Sequence, residues 1–122
     1  MNQTIAADEG TTEHVMIEAG FHLLSAQELI SKIVDKTVAG DYLRGFSYIA
    51  SFRPNGTMEG TNNAGSHNLG EWSVNPKDST FTVKWNNGWD HTTTRAYGVD
   101  GKIKFYDSET GLWRTTFKEL RK

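Results

Sequence analysis

Hydrophobic positions repeat with two different periods along this chain, and the change of period divides it. Between residues 25 and 36, Leu29, Ile30, Ile33 and Val34 fall on one stripe of a 3.6-residue repeat. Ser25-Ala26-Gln27-Glu28 has the form of a capping box, in which the Ser hydroxyl accepts from the Glu28 amide and the Glu carboxylate reaches back to the Ser25 amide. Leu24 precedes the cap, where it can staple the first turn. These features predict one helix of about three turns over residues 25–36. Its single apolar stripe needs a surface to lie on. Upstream, residues 1–22 have no period and are rich in Thr, Glu, Ala and Gly, which reads as a flexible N-terminal tail.

Downstream the period becomes two. Phe46, Tyr48, Ala50 and Phe52 share one face against Ser47, Ile49, Ser51 and Arg53. Pro54-Asn55-Gly56 then presets φ with Pro and offers positive φ at Asn-Gly, which is hairpin chemistry. Further strands are predicted at 57–61, 70–74, 80–85, 89–97, 102–106 and 112–117, with a short one at 37–43. Asn75-Pro76-Lys77-Asp78, Asn86-Asn87-Gly88 and Asp100-Gly101 supply turns between them. The count is about eight strands with turn signals every 8 to 12 residues or so. Successive hairpins without crossovers build an up-and-down antiparallel sheet, and about eight such strands remove their edges by closing. The expected fold is mainly β: a single barrel domain over residues 23–122, with the helix plugging one mouth or lying on the outer wall.

Composition agrees and narrows the function classes. The chain has 122 residues, one domain's worth, with four Trp, four Tyr and six Phe, and all of these but Phe21 fall at or after Tyr42. Thirteen basic and fifteen acidic residues give a net charge of −2, with no run of Lys and Arg able to track a phosphate backbone. Nucleic acid is therefore not an expected partner. No apolar run is long enough for membrane insertion as a helix. The N-terminal stretch has neither the basic nor the apolar segment of a signal peptide. With no cysteine, and with His14, His22, His67 and His91 at non-ligating spacings, neither a metal nor a cofactor is expected.

The stretch GWDHTTTRAYG, residues 88–98, carries the candidate chemistry. As a strand it places His91, Thr93, Arg95 and Tyr97 on one face and Thr92, Thr94 and Ala96 on the other. Neither face is apolar, which suits either a solvated wall or the polar lining of a ligand site. Arg95 must be paired or solvated, by an acid such as Asp90 or Glu71 or by a ligand's anionic group. Asp90 and His91 are neighbours on opposite faces and cannot act as a pair, and no nucleophile elbow is present, so no catalytic residue is assigned. An isomerase or cyclase using His91 and Arg95 would need both on one concave surface. The Trp residues either fill the core or form a stacking cage. The candidate ligand-binding set is Trp89, at the strand mouth, with His91, Arg95, Tyr97, Trp85 and Trp113.

The order Leu23-Leu24-Ser25-Ala26, Thr37-Val38-Ala39-Gly40, Phe52-Arg53-Pro54-Asn55-Gly56-Thr57 and Gly70-Glu71-Trp72-Ser73-Val74, ending in Tyr106-Asp107, resembles small bacterial proteins with a calycin-like (lipocalin/avidin-type) barrel. The resemblance covers residues 23–117 and implies a barrel, and a periplasmic or secreted setting because such proteins are often exported. It implies no particular activity. The Leu-Leu-Ser-Ala run is also similar to one in bacterial metalloprotease inhibitors, which pair a small barrel with a functional N-terminal segment. Two readings follow. One is a non-enzymatic module binding a small polar or aromatic molecule at the barrel mouth. The alternative is a protein-interaction or inhibitor domain acting through its surface or tail.

Overall fold

The computed structural model describes residues 8–121. Two helices, α1 (Glu13–Glu18) and α2 (Ala26–Ile33), precede eight strands: β1 (Thr37–Tyr42), β2 (Ser47–Phe52), β3 (Thr57–Asn62), β4 (His67–Asn75), β5 (Thr80–Trp85), β6 (His91–Val99), β7 (Lys102–Asp107) and β8 (Trp113–Arg121). Each strand pairs antiparallel with the next, and β8 returns to β1, so the sheet is a closed up-and-down barrel. The predicted fold class is the observed one. Hairpin chemistry sets the registers. Asn87-Gly88 and Asp100-Gly101 both take positive φ at each central residue, the conformation that matches strand twist in a two-residue turn.

Helix α2 closes one end. Its capping box forms as expected, with the Ser25 hydroxyl accepting from the Glu28 amide at 3.1 Å and the Glu28 carboxylate accepting from the Ser25 amide at 2.8 Å. The chain enters the helix beside β6, where the Leu24 amide donates to the Ala96 carbonyl, and leaves it beside β2, where the Asp35 amide donates to the Phe52 carbonyl. Strands β2 and β6 are four apart in an eight-strand ring, so they face each other across the barrel. The helix therefore spans the opening. Leu29 and Ile33 point into the interior, while Ile30, on the predicted stripe, is partly exposed.

Four phenyl rings cross the barrel between α2 and the other end. Phe105 and Phe117 have centroids 4.4 Å apart, Phe81 and Phe105 5.3 Å, Phe52 and Phe117 5.6 Å, and Phe52 and Phe81 5.9 Å. They come from β2, β5, β7 and β8, spread round the ring. Tilted and edge-on contacts of this kind add to the area each ring buries.

The structure departs from the expectation of a loose tail before residue 23. Residues 1–7 of that segment lie outside the described residues. From Asp8 onward the chain packs on the outer wall. The Glu13 amide donates to the Gly111 carbonyl, and the Trp113 amide to the Thr11 carbonyl. Met16 of α1 joins Tyr97, Tyr106 and Trp113 in a second buried cluster, outside the barrel. Thr12, the cap residue of α1, makes no side-chain capping bond, and the helix has only six residues. A helix so short has little stability of its own and is held by what it packs on. No local signal could announce it.

Removing packing under α2 tests its role as a plug. Ile33→Ala should cost about 2–5 kcal/mol and Ser25→Ala about 1 kcal/mol, each read as a lower midpoint in urea unfolding.

Candidate functional site

Opposite α2 the barrel is open, and a cavity of about 260 Å³ reaches from the mouth down to the four-phenyl floor. Its walls are built by alternation, with Tyr48 from β2, Val83 and Trp85 from β5, and Thr92 and Thr94 from β6. Two bulky walls depend on glycine in another strand. A Cβ on Gly60 would stand 2.9 Å from the Trp85 ring, and one on Gly40 would collide with the ring of its cross-strand partner Tyr48. Glycine within a strand often marks such a close approach. Glycine at those two positions is a signal that could have located these inward side chains.

The mouth is framed by the loop between β5 and β6. The buried Asn68 amide donates to the Asn86 carbonyl at 2.7 Å, and its oxygen accepts from the Asn87 side chain at 3.2 Å. His91 Nε2 donates to the Trp85 carbonyl at 3.1 Å. Held from both sides, the loop sets Trp89 against Trp85 with ring centroids 5.5 Å apart. Beside this pair, the Tyr42 hydroxyl donates to the Asp90 carboxylate. Arg114 Nη2 donates to the Tyr42 oxygen at 3.1 Å and to Asp90 Oδ2 at 3.3 Å. Burial first, and then the bond to Asp90, push the Tyr42 phenol up to about 12. It therefore keeps its proton at neutral pH. Deeper in, the Thr115 hydroxyl bonds the Asp41 carbonyl and the Tyr48 hydroxyl, and burial pushes the Tyr48 phenol above its ordinary value.

Arg114 reaches the cavity because β8 is irregular there. Phe105 pairs with Thr115 while Tyr106 pairs with Trp113, so Arg114 is an extra residue between them. A bulge of this kind re-aims a side chain at a barrel rim. Arg114 and Thr115, adjacent in sequence, both line the cavity, and Trp113 goes to the outside.

The sequence-derived binding set is thereby divided. Trp85 and Trp89 line the cavity. His91, Arg95, Tyr97 and Trp113 do not, because the face of β6 that looks inward is the one bearing Thr92, Thr94 and Ala96. His91 is exposed at the loop. Arg95 donates to the Glu13 carboxylate at 2.6 and 2.9 Å and to the Ser108 carbonyl at 3.1 Å, and the Tyr97 hydroxyl donates to the same carboxylate at 2.7 Å. The partner of Arg95 is an acid from the supposed tail, not Asp90 or Glu71. Trp113 packs under α1 with its Nε1 donating to Thr116 at 2.8 Å. His91 and Arg95 thus share the convex outer wall, where no concave surface brings them together for catalysis. Alternation had paired these residues correctly; it could not say which face was interior.

Compared with known proteins, the chain has no significant match: no family model fits it, and neither a curated protein nor a solved structure matches it.

The outer-wall cluster makes a pH-dependent contribution with a definite sign. Hydrogen bonds from Arg95, opposed by burial and reinforced by Tyr97, hold the Glu13 carboxyl below its ordinary value of 4.5. A carboxylate lowered on folding gives stability that is complete above its unfolded value and is lost as pH falls through the folded one. Glu13→Gln should cost about 1–2 kcal/mol at pH 7. The variant should lose less stability than the wild type in urea unfolding as pH drops below 4.5.

Proposed function

We propose that this protein is a non-enzymatic binding module: a calycin-like barrel that takes a small, largely aromatic molecule into its open end. The observation that carries this reading is the cavity of about 260 Å³ between the phenyl floor and the Trp85–Trp89 pair. A dry cavity of about 150 Å³ admits benzene, so this one suits a bicyclic ring of roughly indole size. Its wall is dominated by aromatic rings, with a few hydroxyls and one ion pair at the rim, the usual make-up of a small-molecule site. The open end faces solvent, and α2 seals the other, so a guest enters and leaves by one mouth.

Exposed apolar side chains favour the second reading, a protein-interaction surface. Val15 and Ile17 of α1 and Leu112 beside it are about half exposed on the outer wall. That surface is separate from the cavity, and the two roles are separable by substitution.

Calorimetric titration with indole tests the cavity. The wild type should bind it with a dissociation constant in the micromolar to millimolar range. Thr92→Phe, which places a ring into the upper cavity, should weaken binding at least about tenfold. A wild type that takes up neither indole nor a substituted indole would remove this reading and leave the outer wall as the functional surface.

A further inference from the structure

We infer that the guest is a planar aromatic molecule bearing one carboxylate, with its ring on the phenyl floor and its carboxylate against Arg114 at the mouth. This rests on the binding reading above and specifies it.

The argument begins with what the rim has left unpaired. Among the described residues, Arg114 uses only Nη2, which is shared between Tyr42 and Asp90. Its Nε is buried with no partner. A guanidinium is a five-donor fork that suits a planar, two-oxygen acceptor. Arg114 is three-quarters buried, its side chain 25% exposed, and its Nε is closed to water. The bulge in β8 is what turns this residue toward the cavity in place of the outer wall.

Asp90 presents the opposite case. Its Oδ2 already accepts from the Tyr42 hydroxyl and from Arg114, and the side chain is 53% exposed. Its needs are met by protein and water. An ammonium guest stacked on Trp85 and Trp89 would gain a cation–π contact. It would also have to lie beside the Arg114 guanidinium, with no other carboxylate in the cavity wall to favour it. The rim's unmet demand is thus a donor's, while its one carboxylate is already engaged through Oδ2 by Tyr42 and Arg114.

Orientation follows from desolvation. A carboxylate on the phenyl floor would lose its water without compensation, whereas at the mouth it keeps part of its hydration. Thr92, whose hydroxyl has no partner among the described residues, lies on the same wall and can donate to it. The ring then fills the apolar space below, against Phe81 and Phe117.

The test is a set of calorimetric titrations with indole, indole-3-carboxylate and 3-(aminomethyl)indole against the wild type, Arg114→Gln and Asp90→Asn. For the wild type, the acid should bind at least about tenfold more tightly than indole, and the amine no better than indole. In Arg114→Gln the acid-to-indole ratio should fall to about one. Asp90→Asn changes an exposed residue and serves if the Arg114 variant does not fold. It removes a competing anion and should raise the same ratio about threefold. Indole binding without preference for the acid would overturn the ligand class and leave the cavity reading standing. The amine binding most tightly, with Asp90→Asn abolishing that preference, would make the rim a cation site. Failure of all three probes would remove the cavity reading and this inference together.

Discussion

Everything in this molecule is arranged about one layer of four packed phenyl rings. Phe52, Phe81, Phe105 and Phe117 come from four strands and meet at the centre, which ties together parts of the sheet that share no backbone hydrogen bonds. On one side the layer receives Leu29 and Ile33 of α2; on the other it is the floor of the cavity. One set of side chains is thus both core and cavity floor. That double use explains why so much of the barrel's aromatic content lies inside while the mouth end of the interior stays open.

The outer wall solves a different problem with different chemistry. Tyr97, Tyr106 and Trp113 would be exposed on the convex face of β6 to β8, and α1 covers them through Met16. Glu13 is the polar counterpart of that cover, its carboxylate satisfied by Arg95 and Tyr97. A buried carboxylate tolerates its position only with such partners. The inner and outer clusters lie back to back through the same strands. Alternation lets β6 serve both, with Thr94 and Ala96 facing in and Arg95 and Tyr97 facing out.

Much of the architecture was legible because it is local. The Ser25–Glu28 capping box, the Asn-Gly and Asp-Gly turns and the period-two alternation of residues 46–52 each carry their own short-range physics. What remained illegible was relational. Nothing inside residues 88–98 says which face of the strand meets the other walls, because both faces are polar or small. Glu13, 82 residues before Arg95 and 84 before Tyr97, pairs with the outer face. Trp113 was misplaced for a narrower reason: unbroken alternation would put it with Thr115 and Phe117, and one extra residue at Arg114 reverses the phase. Helix α1 lacked both length and capping signal. Trp89 lines the cavity where its place just after a tight turn, at a strand mouth, had put it, and Trp85 lines it beside Trp89.

The helix that seals the barrel also has a mechanical consequence. Anchored at Ala96 and at Phe52, on strands that face each other across the ring, it acts as a tie-rod along one diameter. A closed sheet deforms most easily by flattening into an oval, which changes its cross-section without breaking a ladder bond. The tie-rod fixes one axis of that oval. The width of the cavity is therefore governed in part by a helix that does not line it.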